Sequence, residues 1–129
     1  MENIMKKYSD YSYFIFRVVV ATLFFFHGFN KLNSLLAGKI EIFSLIGLAM
    51  VLEIVVGLFV FLGLFTSYFA ILGSLVMVGA WVVAHIPKGF NPFTNGGELA
   101  LLFLVSFLVI ASIGGGRFSL EEYLKRRKK

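Results

Sequence analysis

The chain has 129 residues, of which 59% are apolar, 17% aromatic and 15% charged, with a net charge of +5. A domain this small has too much surface to hide so many apolar side chains, so an ordinary soluble fold is excluded and lipid must solvate most of the chain. The lack of cysteine excludes disulfides, thiolate metal sites and a thiol–disulfide relay carried by this chain.

A membrane helix needs about 20 mostly apolar residues. Four such spans are read in chain order: 11–30, 44–65, 67–86 and 98–114. Lipid offers no partners to backbone groups, so the spans predict an all-α fold, a transmembrane four-helix bundle in which residues 1–129 form a single domain. The first span is too long and too aromatic for a cleaved signal peptide. Between spans one and two, Lys31 to Phe43 has room for a short amphipathic turn. Spans two and three are separated by little more than Thr66 and Ser67, which predicts a tight hairpin. Pro87 to Gly97 (PKGFNPFTNGG) is rich in turn formers.

Span four is punctuated at both ends. Asn95-Gly96-Gly97-Glu98 has the spacing of an N-cap followed by a capping glutamate, and Gly114-Gly115-Gly116 stops the helix. Ser119-Leu120-Glu121-Glu122 repeats the capping-box spacing and predicts a short C-terminal amphipathic surface helix, with Leu120, Tyr123 and Leu124 on one face. Lys6 and Lys7 precede the first span, and a basic tail over 117–129 follows the last. The opposite loops hold only Lys31, Lys39 and Lys88. The positive-inside rule then predicts a multi-pass protein of the cell membrane with both termini cytoplasmic. The tail suits anionic lipid headgroups rather than nucleic acid.

Ionisable residues within spans are costly and usually face the bundle interior, so each is a candidate for function. Arg17 lies two turns into span one, and Glu53 lies near the middle of span two. His27 and His85 close the outer ends of spans one and three, and Glu98 opens span four at that level. Four helices thus each offer one ionisable group to the outer half of the bundle. His27 and Lys31 share a stripe with Asn30 beside them, and Met77, Trp81 and His85 repeat at every fourth position. Glu53 stands four residues from Gly57, a bare backbone patch where a helix or a ligand can come close. The pattern predicts an aromatic, partly polar cavity open to the outside. Structural readings stand beside it: an Arg17–Glu53 salt bridge, a capping role for Glu98, a snorkelling Lys31 and a space-filling Trp81. Two His and two Glu could in principle hold a metal, but no HxxxH or HxxE spacing supports one, and none is expected.

In order, Arg17, the Phe-rich stretch with His27-Gly28 and Lys31-Leu32, Glu53 with Gly57 and Gly63, His85, the Asn95-Gly96-Gly97-Glu98-Leu99-Ala100 segment and the Gly114–Leu120 segment resemble the DoxX family of small four-helix membrane proteins. The resemblance runs from about Tyr13 to Tyr123. It departs where the family typically has Pro and Asp, here Gly115 and Glu121. It departs again in the turn between spans two and three, where the family often has Arg and this chain has Thr66-Ser67. The resemblance implies a quinone-linked or otherwise redox-associated membrane protein, since relatives include a subunit of thiosulfate:quinone oxidoreductase.

Two function classes and a blander reading follow. In the first, the chain is a quinone-linked subunit or accessory protein of a partner oxidoreductase. Glu53, His27 and His85 do the acid–base work, while Arg17, Trp81, Asn30, Lys31 and Glu98 help hold the headgroup. With no nucleotide motif and no cysteine, the electrons come from the partner. In the second, the chain resembles the small multidrug-resistance exporters, which use one embedded Glu and would need a homodimer. The third is a purely structural membrane subunit.

Overall fold

The computed structural model describes all 129 residues as helices, turns and short loops. Helix α1 runs from Glu2 to Leu36, α2 from Leu45 to Leu62 and α3 from Thr66 to Ala80. The third helix continues through a π turn, Trp81–His85, and a 3-10 turn, Ile86–Lys88. A single turn, α4 (Pro92–Asn95), precedes α5 (Glu98–Ile113), and α6 (Leu120–Arg127) closes the chain. Three helices, α1, α2 and α3 with its continuation, are long and apolar enough to cross a membrane. The fourth apolar helix, α5, has 16 residues, about 24 Å at 1.5 Å per residue, shorter than a bilayer core of about 30 Å.

Three boundaries differ from the sequence expectation. The first helix does not end near Asn30; it continues unbroken to Leu36, so no separate amphipathic turn follows it. The hairpin turn is Gly63–Phe65, with Gly63 left-handed at φ 70°, and Thr66 is already helical. Asn95 does not cap α5. It ends α4, Gly97 occupies the cap position and Glu98 is the first helical residue. The second capping pattern forms at its N-cap: Ser119 Oγ accepts from the Glu122 N–H at 3.3 Å and starts α6.

Helices α1 and α2 lie along one another, as do α3 and α5, and these two pairs meet less extensively. Between them, Phe24 packs edge-on against Phe103 and Phe107, with ring centroids at 5.2 and 4.7 Å. Small residues set the spacing, as expected where helices associate without a hydrophobic drive. A Cβ on Gly57 would lie 2.8 Å from the Phe25 backbone, so the bare patch beside Glu53 receives helix α1 and no ligand. A Cβ on Gly28 would lie 2.8 Å from the Met50 carbonyl oxygen, which belongs to backbone that cannot move alone. Gly28→Ala is expected to force α1 off α2 and cost about 1–3 kcal/mol, read as a lower melting temperature in detergent; an unchanged melt would mean that the helices do not approach so closely.

The end of the bundle that carries both termini is held by polar contacts. Arg17, 1% exposed, donates to the carbonyls of Val60 at 2.5 Å, Phe61 at 2.8 Å and Phe118 at 2.6 Å. Tyr13 Oη donates to the Gly114 carbonyl. Glu121 accepts from the Thr66 N–H at 3.1 Å and the Gly115 N–H at 2.8 Å, so its carboxylate caps α3 and fixes the glycine turn together. The span-two turn is therefore anchored by the C-terminal segment.

Candidate functional site

At the opposite end, Lys31 Nζ donates to both oxygens of Glu53, at 2.7 and 2.8 Å. The Glu53 side chain is 5% exposed and that of Lys31 33%. The local fold explains the pairing. Because α1 remains helical past Asn30, Lys31 sits on the same face as Gly28, where α1 crosses closest to the Met50–Ile54 stretch of α2. In a helix the Cα–Cβ bond leans toward the N-terminus, so the lysine stem runs back into the bundle and down to the carboxylate. Lys31 is thus an ion-pair partner and not a snorkelling residue, and Arg17 does not meet Glu53.

The pair borders a cavity of about 250 Å³ that also receives Phe24, His27, Met77, His85 and Phe103. His27 stands edge-on to Phe103 with ring centroids 5.5 Å apart. The walls are thus aromatic and the polar groups are Lys31, Glu53 and two imidazoles. The π turn delivers His85, and such wide turns recur at functional sites. His85 Nδ1 lies 3.1 Å from the Asn95 carbonyl oxygen. A carbonyl only accepts, so Nδ1 carries the hydrogen and a neutral ring leaves Nε2 as an acceptor.

Asn95 is the positioning residue that the sequence reading missed. Its side chain is buried, with Nδ2 donating to the Gly89 carbonyl and Oδ1 accepting from the Gly97 N–H, both at 2.8 Å. The side-chain amide therefore ties the Pro87–Gly97 loop, and the main-chain carbonyl of the same residue orients His85. The signal lay in the NGG segment, whose cap spacing pointed instead to α5.

Other candidates lie elsewhere. Trp81 packs against Gly97 with its ring 6.0 Å from that of His85, so it backs the histidine and does not line the cavity. Asn30 and Glu98 are exposed on the outside of the bundle, and Glu98 does not contribute the fourth ionisable group. Arg17 belongs to the far end. Helix α1 supplies two polar residues to the cavity and α5 none.

A second space adjoins the first. A groove of about 380 Å³ opens between α2 and α3, walled by Leu45, Leu48 and Leu52 on one side and by Val76, Gly79 and Val83 on the other. Lys31, Glu53, Ala80 and Ala84 border both spaces. A Cβ added at Gly79 would meet nothing within 4 Å, which keeps the groove open.

A protein of Haemophilus influenzae that is uncharacterised is 36% identical over 127 residues, covering 92% of this chain and 95% of its own. A Bacillus subtilis protein named "Putative oxidoreductase CatD" is 27% identical over 132 residues, covering 97% of this chain and 96% of its own. No solved structure matches the chain. The family model described as DoxX matches residues 12–86, a stretch that contains Arg17, His27, Lys31, Glu53 and His85. With more than half its length matched, and with the ion pair and both imidazoles inside that match, the chain belongs to the DoxX family.

Proposed function

We propose that this membrane protein serves a partner oxidoreductase by holding a quinone headgroup in the cavity beside Lys31 and Glu53, with the isoprenoid tail in the α2–α3 groove. The observation that carries the reading is the shared ion pair: one polar pocket and one apolar, lipid-facing groove meet at the same carboxylate. A cavity of about 250 Å³ falls below the roughly 300–1,000 Å³ typical of drug-sized ligands. It suits a single ring rather than a nucleotide. The donor set also fits, because a headgroup needs an apolar slot with a hydrogen-bond partner at each oxygen.

A bound quinone would supply two-electron, two-proton chemistry. Lys31 has three N–H donors, of which two are directed at Glu53, leaving one for a headgroup oxygen. His85 Nε2 accepts a proton from a hydroxyl placed in the cavity, and Glu53 offers the next acceptor. Phe24 and Phe103 are buried in the walls, while His27 lines the cavity with part of its ring exposed. The electrons pass to or from the partner protein. The exporter reading is weaker, because the Lys31 ammonium stands beside the carboxylate, where a cationic substrate would have to bind.

The test is native mass spectrometry of the protein drawn gently from its own membranes, with bound small molecules extracted and identified. Wild type is expected to retain a quinone. Gly79→Leu fills the groove without touching an acid–base group, so it is expected to fold normally and lose at least about tenfold in occupancy, or 1.4 kcal/mol of affinity. Wild-type protein carrying phospholipid alone, with no quinone recovered, would sink the reading.

A further inference from the structure

We propose that the end of the bundle opposite the Lys31–Glu53 pair carries a built site for the phosphate of an anionic phospholipid, set between α1, the end of α2 and α6. This site is independent of the quinone reading. A cavity of about 500 Å³ there is lined by three arginines, Arg17, Arg117 and Arg126, and by no carboxylate. Arg17 is buried, its hydrogen bonds go only to neutral carbonyls, Glu121 acts on it without a direct hydrogen bond, and its Nε has no hydrogen-bond partner. Glu121 already has its two oxygens engaged by the Thr66 and Gly115 N–H groups, so the buried charge is only partly compensated and an anion from outside the chain offsets the remaining cost.

The other two arginines are free to supply the rim. Arg117 lies 3.6 Å from Asp10 and Arg126 lies 3.4 Å from Glu122, and all four side chains are substantially exposed. Exposed pairs of this kind contribute little and yield readily to a stronger acceptor. Guanidinium groups bind phosphate oxygens in a forked, bidentate manner, which an ammonium cannot reproduce. The remaining wall is apolar, with Phe14, Phe61, Leu62 and Leu120. That combination commits the site to a lipid: free phosphate has no chains for the apolar wall. A zwitterionic lipid brings its own ammonium into a cluster of three positive charges. Helix α6 places Arg126 where headgroups lie, since its apolar face suits the membrane surface.

The experiment is native mass spectrometry of the purified protein titrated separately with phosphatidylglycerol, phosphatidylcholine and inorganic phosphate in one detergent. One phosphatidylglycerol is expected to be retained about tenfold more tightly than phosphatidylcholine, a difference of about 1.4 kcal/mol. Arg117→Gln/Arg126→Gln is expected to abolish that preference while melting like wild type, because both residues are exposed. Lys128→Gln/Lys129→Gln, which changes the tail outside the cavity, is expected to keep the preference within about twofold. Equal retention of the two lipids by wild type would overturn the proposal. So would inorganic phosphate retained as tightly as phosphatidylglycerol, or a loss in the tail variant as large as that in the arginine variant.

Discussion

Lys31→Met is expected to destabilise the protein by about 3 kcal/mol, whereas Glu53→Gln costs only about 1 kcal/mol. The asymmetry follows from burial. Removing Lys31 strands a carboxylate whose side chain is 5% exposed, and an uncompensated buried charge is among the costliest defects a fold can carry. Removing the carboxylate strands an ammonium that keeps a third of its surface, and its flexible stem can turn outward. Replacing both, as Lys31→Met/Glu53→Leu, is expected to restore most or all of the stability, because an apolar pair needs no desolvation. Thermal unfolding in one detergent measures all three. Equal losses in the two single variants would mean that Lys31 is as confined as its partner.

Function separates these variants differently. Each of the three is expected to lower quinol turnover in membranes containing the partner enzyme by about 100-fold or more, the low end of general acid–base contributions. The double variant is the informative one, since it regains stability without regaining a titratable group. If its turnover recovers along with its melting temperature, the pair only knits α1 to α2, and the structural reading replaces the redox one.

The sequence carried the fold class well because hydropathy reports directly on the solvent, and spans of apolar residues have few other uses. It carried the outer cavity in part: His27, Glu53 and His85 were placed at compatible depths by counting residues from helix ends. Two kinds of information were not local. The end of α1 could not be read, since Asn30 and Lys31 look like a membrane exit; only the partner on α2 explains why the helix goes on and Lys31 turns inward. Asn95 and Trp81 exchanged roles for a related reason. Strict four-residue spacing put Trp81 on the His85 stripe, while a π turn breaks that spacing and a main-chain carbonyl of the loop, that of Asn95, accepts from the imidazole. Arg17 was read as a candidate partner for Glu53 because opposite charges in one membrane are expected to meet. Its carbonyl partners lie 43, 44 and 101 residues away in the chain, beyond any periodicity argument.

Those partners make Arg17 the position where a single change should do the most damage at the termini end. The last carbonyls of a helix have no partners within it, and the negative end of the macrodipole favours a cation there. Arg17 meets both needs for α2 and adds Phe118, so one side chain joins α1, the hairpin and the C-terminal segment. Arg17→Met takes the arginine donor from the Phe61 and Phe118 carbonyls and one of two donors from Val60, whose oxygen also accepts from the Gly63 N–H at 3.2 Å. At about 1–3 kcal/mol for each group left unpaired the expected loss is about 2–4 kcal/mol. Arg17→Lys keeps the charge but not the fork. An ammonium at the tip of one stem cannot serve Val60 and Phe118 together, so roughly half the loss should remain. Melting temperatures give the size of the effect, and hydrogen exchange gives its location. Faster exchange is expected at Gly63–Phe65 and at Gly114–Phe118 together, because the same guanidinium holds both. Exchange that rises around Lys31 and Glu53 instead would mean that the two ends are coupled through the helices. Exchange unchanged at the hairpin would mean that α2 finds its cap elsewhere. With the ends independent, an Arg17→Lys protein that still folds should hold the proposed quinone as wild type does while its hairpin loosens, which separates anchoring from the chemistry proposed at Glu53.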